Sequence, residues 1–367
     1  MRMAAYRPVG APSAGSAPAG ASGAADARVA DPVVGFVLSD GPGDPGRIIP
    51  LAALADAHLG PVALDAAMAA LDLRHLLRAD PGLRRTEVAL DAAVSGGAEP
   101  PSLGLDEVRL AAPIPEPGKI VCVGQNYVAH VREQHAAMPD RPMLFAKFAN
   151  AVIGDGEPVI RHAGTHALDL EAELAVVVGR RMRRVAPGDA LAHVAGYAVA
   201  NDVSARDLQG SKPALAEGER GDGQWLRAKG SDTFCPLGPA IVTPSEIPDP
   251  GNLGLRSWRV PGTGTGAGMP IPMQDARTDD MIFDIAHLLA FISDAITLEP
   301  GDVVLTGTPS GVGVFRDPPV FLQPGDVAVV EVEGIGRLAN PIVAADGTAP
   351  AWTPAARLLA GERPAIA

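Results

Sequence analysis

Short apolar runs separated by Gly, Pro and Asp dominate the chain from residue 118 onward. The runs are IVCVG, AVIG, ELAVVVG, AGYAVA, DVVLTG and VAVVEVEG. Runs of this length between turn-forming residues predict β-strands. One longer amphipathic segment, MIFDIAHLLAFISDAI, predicts a helix. Because strands and helices do not alternate regularly, the pattern predicts a strand-rich α+β domain and not a doubly wound sheet.

The first third of the chain follows a different pattern. VVGFVLSD and RIIPL predict two short strands around the turn Gly41-Pro42-Gly43, and residues 51–94 have a helical pattern, clearest in ALDAAMAALDLRHLL. Pro- and Gly-rich sequence then predicts a linker. These patterns divide the chain into four predicted parts: a disordered Ala-, Gly- and Pro-rich tail over 1–28, a small N-terminal α+β domain with its linker over 29–117, a larger domain over 118–345 and a C-terminal tail over 346–367.

Composition narrows the class of protein. The 367 residues are 47% hydrophobic and 20% charged, as expected of a soluble globular protein. The net charge of −13 argues against nucleic acids and anionic membranes as partners. No stretch is long enough to span a membrane. The isolated cysteines Cys122 and Cys235 suit a reducing compartment, so we expect a cytoplasmic protein.

Two acidic residues in LDLEAELAVVVG, Glu171 and Glu173, are the first candidates for chemistry. Side chains two apart on a strand point to the same face, so these carboxylates are expected to project together. Asp202, which ends the apolar run of HVAGYAVANDVS, could add a third oxygen ligand. Such a group fits a hard divalent cation such as Mg²⁺. The alternative is a solvated, charged face of an edge strand.

His130 and Glu133 lie three residues apart in GQNYVAHVRE. If this segment is helical, the two side chains share one face. A carboxylate that accepts a hydrogen bond from one imidazole nitrogen fixes the tautomer and leaves the other nitrogen as a base. The spacing therefore indicates a water-activating dyad, with a plain surface ion pair as the alternative.

Four more polar residues could contact a substrate. Arg206 and Gln209 follow Asp202 and suit the carboxylate and keto groups of an anionic substrate, although helix-surface charge pairing gives the same pattern. Lys229 in AKGSDTFCPLGP could point into a cleft or be an ordinary loop lysine. Thr308 in LTGTPSGVG lies on a tight turn that could be purely structural. That Gly-rich turn lacks a following helix and is a weak nucleotide motif.

Together these motifs resemble the fumarylacetoacetate hydrolase family. The matching segments run in the family's order from about Lys119 to Asn340: GQNYVAHVRE, the F-x-K of Phe145 and Lys147, LDLEAELAVVVG, NDVSARDLQ, QWLRAKGSDTFCPLGP, LEPGDVVLTGTPSGVG and VEGIGRLAN. The resemblance implies a β-rich mixed sandwich or roll preceded by a small, variable N-terminal domain. It also implies a homodimer.

The resemblance also implies a set of site residues. Mg²⁺ or Mn²⁺, with Ca²⁺ ranked behind both, would be held by Glu171, Glu173 and Asp202. His130 and Glu133 would form the acid–base dyad on a mobile lid, with Lys229 as a further catalytic contact. The implied substrate-binding residues are Tyr127, Lys147, Arg206, Gln209 and Thr308.

Two departures from the family pattern bear on the substrate. Family members that hydrolyse fumarylacetoacetate itself carry a further aspartate ligand where this chain has Asn126-Tyr127, so the chain resembles a three-carboxylate, acylpyruvate hydrolase-like branch. The segment 210–223 is longer than in related proteins. We hypothesise that it is a flexible loop over the mouth of the site that alters substrate choice.

The expected function is metal-dependent hydrolysis of a carbon–carbon bond in a 2,4-diketo acid, with His130 and Glu133 activating water. The same metal site would also serve decarboxylation of oxaloacetate-like acids, or isomerisation and tautomerisation of 2-oxo-enoic acids. A minor alternative is a non-catalytic binding protein that a metal ion stabilises.

Overall fold

The structure is a computed structural model that describes residues 1–8, 32–38, 46–56, 72–96, 100–215, 223–264 and 266–345. The strands are β1 (Arg2–Pro8), β2 (Val33–Leu38), β3 (Arg47–Pro50), β4 (Leu103–Gly104), β5 (Val108–Ala111), β6 (Ile120–Gly124), β7 (Met143–Lys147), β8 (Val152–Ile153), β9 (Val159–Arg161), β10 (Leu168–Asp169), β11 (Ala172–Val178), β12 (Val194–Asn201), β13 (Ser204–Ala205), β14 (Cys235–Val242), β15 (Gly254–Val260), β16 (Ile271–Arg277), β17 (Val303–Leu305), β18 (Val327–Val332) and β19 (Gly336–Ala344). The α-helices are α1 (Leu51–Asp56), α2 (Leu73–Ala79), α3 (Arg84–Ser95), α4 (Val128–Glu133), α5 (Pro187–Ala190), α6 (Arg206–Gln209), α7 (Trp225–Gly230) and α8 (Ile285–Ala295).

A 12-stranded sheet runs in the order β4-β3-β2-β1-β14-β12-β11-β17-β6-β7, with β5 paired to β1 and β8 to β14. A five-stranded sheet has the order β16-β15-β18-β19-β9, and β10 pairs with β13. Each apolar run after residue 118 forms a strand, and the long amphipathic segment contains α8. The predicted strand-rich α+β fold is therefore confirmed.

Residues 174–178 of strand β11 show why one run of the sequence is continuously apolar. Leu174, Val176 and Val178 pack in a core that also takes residues from the five-stranded sheet and α8. Val177 points to the other face and packs in a core with α1, α2 and α3. A strand that is buried on both faces needs no polar positions, so the usual alternation is lost.

The N-terminal end corrects one prediction. Residues Arg2–Pro8 form β1, which pairs with β2, β5 and β14. The prediction of disorder is wrong for these residues, because strands far along the sequence pack against them. Met3 and Tyr6 are at most 3% exposed. Residues 9–28 lie outside the described residues. The predicted strands on either side of the Gly41-Pro42-Gly43 turn are confirmed as the antiparallel pair β2 and β3, and that turn lies outside the described residues.

The predicted linker also contains secondary structure. Strands β4 and β5 fall within it, and β1 pairs with both β5 and β14. One sheet therefore crosses the predicted boundary at residues 117 and 118. The division into an N-terminal and a catalytic domain stays a prediction, and the predicted tail over 346–367 lies outside the described residues. None of the helices that the structure describes is long and apolar enough to cross a membrane.

Candidate active site

Three carboxylates meet where β11 and β12 pair. Glu171 lies just before β11, Glu173 lies on it, and Asp202 follows β12. The antiparallel register sets Ala172 opposite Asn201, which brings the acidic residues on either side together. Each offers an oxygen within 4.8 Å of the others, and all three side chains are buried. The predicted clustering is confirmed, and the alternative of a solvated strand face is wrong.

Three cations surround this cluster. The Lys229 Nζ lies 2.8 Å from both Glu171 Oε2 and Asp202 Oδ2. The Lys147 Nζ lies 2.7 Å from Asp202 Oδ1, and Arg206 Nη2 lies 2.6 Å from Glu171 Oε1. Buried carboxylates need such partners, because an unpaired charge is costly to remove from water.

Asp169 is a site residue that the sequence reasoning missed. Its Oδ2 accepts a hydrogen bond from Arg206 Nε at 2.9 Å, and its two oxygens accept from the backbone N–H groups of Gly313 and Val314 at 2.8 and 3.0 Å. The signal was present, since Asp169 begins the alternating acidic series that continues to Glu171 and Glu173. The Arg206 guanidinium is therefore engaged by protein carboxylates.

The charge balance of the cluster is uneven. The pKa of Glu171 would rise on burial, but the charges of Lys229 and Arg206 outweigh burial and lower it. The pKa of Glu173 is raised well above its usual value by burial, and then by the charges of Asp202 and Glu171. Asp169 and the three clustered carboxylates outnumber the three cations by one. The carboxylate oxygens of Glu171, Glu173 and Asp202 are suitable ligands for a divalent cation, which would also balance the excess negative charge.

The turn from Gly307 to Val314 donates backbone N–H groups to the carboxylates of the site. Gly307 N donates to Glu173 Oε2 at 2.7 Å, and Gly311 N donates to Glu133 Oε2 at 2.9 Å. Both glycines have a left-handed backbone, with φ of +100° and +102°. A side chain at either position would be strained. The backbone of this Gly-rich turn therefore donates hydrogen bonds to protein carboxylates.

Helix α4 carries the predicted dyad. His130 Nδ1 lies 2.6 Å from Glu133 Oε1, and the exposed fractions of the two side chains are 7% and 20%. The His130 ring packs edge-on to Phe315, with ring centroids 6.1 Å apart. The helix is fixed at its start, where Ala129 N donates to Asp280 Oδ2 at 3.0 Å. The predicted pairing is confirmed, and the alternative of a solvated surface ion pair is wrong.

A cavity of about 330 Å³ is lined by His130 of the dyad and Glu171 of the carboxylate cluster, whereas Glu133, Glu173 and Asp202 are not among its lining residues. It brings together six of the predicted site residues and borders the predicted 210–223 loop at Gly210 and Ser211. Its lining residues are Val123, Gly124, Gln125, His130, Gln134, Met143, Phe145, Glu171, Arg206, Gln209, Gly210, Ser211, Trp225, Lys229, Thr308 and Phe315. A wider groove of about 740 Å³ between Arg78 and Arg181 contains none of the predicted site residues. Residues 216–222 of the predicted loop lie outside the described residues.

Two predicted substrate contacts do not reach this cavity. Tyr127 is fully buried in the hydrophobic core. Lys147 is 1% exposed and bonds to Asp202 and to the carbonyl oxygens of Val203 and Phe234. Lys147 thus holds the carboxylate of Asp202 in position. Tyr127 directly precedes α4, and its side chain lies in the core.

Thr308 and Gln209 line the cavity, but each has a hydrogen bond within the protein. The Thr308 hydroxyl donates to Ala172 O at 3.0 Å and accepts from Gln274 Nε2 at 2.7 Å. Gln209 Oε1 accepts from Arg206 Nη1 at 3.1 Å. Gln274 was not predicted, because its role depends on contacts across two sheets.

The fold and its buried three-carboxylate site indicate a class of protein, which comparison with known proteins identifies. Residues 119–343 match the family model described as the fumarylacetoacetate (FAA) hydrolase C-terminal domain. The chain belongs to the fumarylacetoacetate hydrolase family.

Individual relatives extend the comparison. The chain is 46% identical to a mitochondrial oxaloacetate tautomerase of Xenopus laevis over 241 residues, which cover 66% of this chain and 70% of that protein. A 2-hydroxyhepta-2,4-diene-1,7-dioate isomerase of Mycobacterium marinum superposes with a TM-score of 0.55 at 40% identity, covering 68% of this chain and 85% of the other. A 5-carboxymethyl-2-hydroxymuconate delta-isomerase of Mycobacterium smegmatis gives a TM-score of 0.62 at 30% identity and covers 95% of this chain and all of the other.

Proposed function

We propose that the protein is a metal-dependent tautomerase of 2-oxo acids, which interconverts the keto and enol forms by moving a proton between C3 and the C2 oxygen. The observation that carries this proposal is the cavity that His130 lines together with Glu171 of the carboxylate cluster, in a chain that is 46% identical to an oxaloacetate tautomerase over 241 residues. Hydrolysis of a 2,4-diketo acid, which the sequence led us to expect, is the second candidate. The similarity to tautomerases and isomerases favours proton transfer without attack by water.

The three carboxylates Glu171, Glu173 and Asp202 would hold the cation. When bound, a divalent cation would polarise the 2-oxo group of the substrate as a Lewis acid and make the C3 proton more acidic. Mg²⁺ and Mn²⁺ both suit this set of carboxylate ligands, and the charges of Lys147 and Arg206 keep the carboxylates in place.

His130 would transfer the proton. Its Nδ1 is hydrogen-bonded to Glu133, which leaves Nε2 to accept the proton from C3 and to deliver it to the C2 oxygen, and the reverse transfer regenerates the keto form. Burial lowers the pKa of Lys229, but Asp202 and Glu171 outweigh burial and raise it, so Lys229 is an ammonium at neutral pH. As a hydrogen-bond donor in the cavity wall, it would stabilise negative charge that develops on the enolate.

Hydrolysis of a 2,4-diketo acid is supported by one specific observation. The dyad is held at 2.6 Å and the second oxygen of Glu133 is fixed by Gly311, as a base that activates water requires. A purely structural metal site would not need a histidine and an ammonium in the wall of a cavity, which argues against the non-catalytic alternative.

Two substrates separate these functions. Oxaloacetate should pass from enol to keto form faster with protein and Mg²⁺ than with buffer and Mg²⁺, as followed by ultraviolet absorbance. A chelator, or Glu173→Gln, should abolish the difference. Pyruvate and CO₂ from oxaloacetate would indicate decarboxylation, and pyruvate and acetate from acetylpyruvate would establish the hydrolase. A protein that accelerates none of these reactions would contradict the proposal.

A further inference from the structure

The cavity is lined by both charged and apolar side chains. The charged side chains belong to Glu171, Arg206 and Lys229. The apolar side chains belong to Val123, Met143, Phe145, Trp225 and Phe315. Trp225 packs edge-on to Phe145, with ring centroids 5.5 Å apart, so these two rings form a continuous aromatic wall. A substrate that is held by the charged side chains would lie against these rings.

The aromatic rings lie next to the side chains that would carry out the reaction. The Lys229 Nζ lies 5.2 Å from the centroid of the Phe145 ring, and the Phe315 ring contacts His130. The aromatic rings are therefore direct neighbours of Lys229 and His130. A group attached directly to C3 of a 2-oxo acid would meet these rings.

The two residues Arg206 and Lys229, which line the cavity, already pair with protein carboxylates. Arg206 is engaged by Asp169, Glu171 and Gln209, and Lys229 by Glu171 and Asp202. Among the other polar lining residues, Gln125 already bonds to Gln134 at 2.9 Å. A second substrate carboxylate would compete with these protein carboxylates for a counter-ion, and burial of a charge that is incompletely paired is costly. An apolar group would gain from burial against the rings.

From this wall and this charge balance we infer that the preferred substrate is a 2-oxo acid whose C3 substituent is uncharged and apolar, such as an aryl group. The inference rests on the proposed tautomerase function and deepens it. Oxaloacetate, with a carboxylate at that position, is then a substrate of lower efficiency.

Phenylpyruvate and oxaloacetate test this directly, since both enols absorb in the ultraviolet and differ in the group on C3. We expect kcat/KM for phenylpyruvate to exceed that for oxaloacetate by about 10-fold or more, a factor typical of one apolar group in a hydrophobic pocket. Trp225→Ala should lower the value for phenylpyruvate more than that for oxaloacetate. Trp225→Arg should shift the preference towards oxaloacetate.

Trp258→Ala is the matched control. Trp258 is partly exposed on β15 and does not line the cavity, so its replacement should leave the preference unchanged. A preference for oxaloacetate, or equal losses for both acids in Trp225→Ala, would overturn the inference while the tautomerase function stands. If neither acid is converted, the proposed function fails. Calorimetric affinities of the Mg²⁺-loaded protein then decide the inference: tighter phenylpyruvate supports it, and tighter oxaloacetate overturns it.

Discussion

Two histidine–carboxylate pairs in this protein have nearly the same local geometry and different surroundings. His130 and Glu133 lie on α4 with 2.6 Å between Nδ1 and Oε1, and Asp284 and His287 lie at the start of α8 with 2.8 Å between Nδ1 and Oδ1. Both pairs are three residues apart. The side chains of the second pair are 63% and 64% exposed, whereas those of the first are 20% exposed or less.

The surroundings decide what each pair can do. Asp284 accepts the backbone N–H of His287 at 2.9 Å and so caps its helix. Glu133 instead accepts the N–H of Gly311 from a distant turn, and its histidine faces a cavity that also holds Lys229. Residue spacing alone predicts the pair, and long-range packing separates a catalytic candidate from a helix cap.

The largest expected difference is in turnover. His130→Ala should lower kcat for oxaloacetate tautomerisation by roughly 10²- to 10⁴-fold, the usual loss for a general base. His287→Ala removes the same group from the exposed pair and should leave kcat unchanged. Steady-state kinetics at saturating Mg²⁺ measure both. Equal effects of the two substitutions would show that the buried pair has no special role.

Replacing the carboxylate of each pair should have different effects, on activity for the buried pair and on stability for the exposed pair. Glu133→Ala removes the group that orients His130 and should lower kcat by about 10²-fold, the lower limit for general-base catalysis. Asp284→Ala removes a helix N-cap and should cost about 1 kcal/mol of unfolding free energy while leaving kcat unchanged. Denaturant unfolding and kinetics of both variants provide the measurement. A loss of activity in Asp284→Ala would count against the distinction.

Gly311 tests the contact that only the buried pair has. With φ of +102°, an alanine would be strained by about 1–2 kcal/mol, and its Cβ would overlap the carbonyl of Met273. The turn must then move, and its N–H leaves Glu133, so kcat should fall roughly 10-fold. Gly325→Ala is the control, because Gly325 has φ of +96° and open space around its Cβ position. If both variants lose stability and neither loses activity, the Gly311 contact does not serve catalysis.

The sequence was most informative where chemistry depends on local spacing. The i, i+3 relation between His130 and Glu133 and the alternation from Glu171 to Glu173 predicted groups that the structure brings together. Lys147 and Tyr127 were assigned to the substrate by resemblance, yet Lys147 bonds to Asp202 and Tyr127 lies in the core. Their burial depends on strands that meet only in the folded chain, which no local pattern encodes.

The same reason explains the error at the N-terminus. RMAAYRP has a weak strand pattern, and β1 forms because β14, more than two hundred residues away, pairs with it. The apolar wall of the cavity is a further example. Phe145 and Trp225 come from separate elements, and their contact becomes visible only in the structure.

The smallest expected difference concerns pH and stability at the exposed pair. Burial would raise the pKa of Asp284, but the backbone N–H and ring of His287 outweigh burial and lower it. A carboxylate with a lowered pKa in the folded state adds stability above its unfolded pKa, about 3.9, and this contribution is lost as the pH falls through the folded pKa. Asp284→Asn keeps a capping side chain that cannot titrate. The stability of the wild-type protein relative to this variant should therefore fall as the pH drops below about 4 and through the lowered folded pKa, as measured by urea midpoints. An advantage that grows on acidification would reverse the sign and contradict the cap, whereas kcat at neutral pH should be the same in both proteins because Asp284 lies outside the cavity.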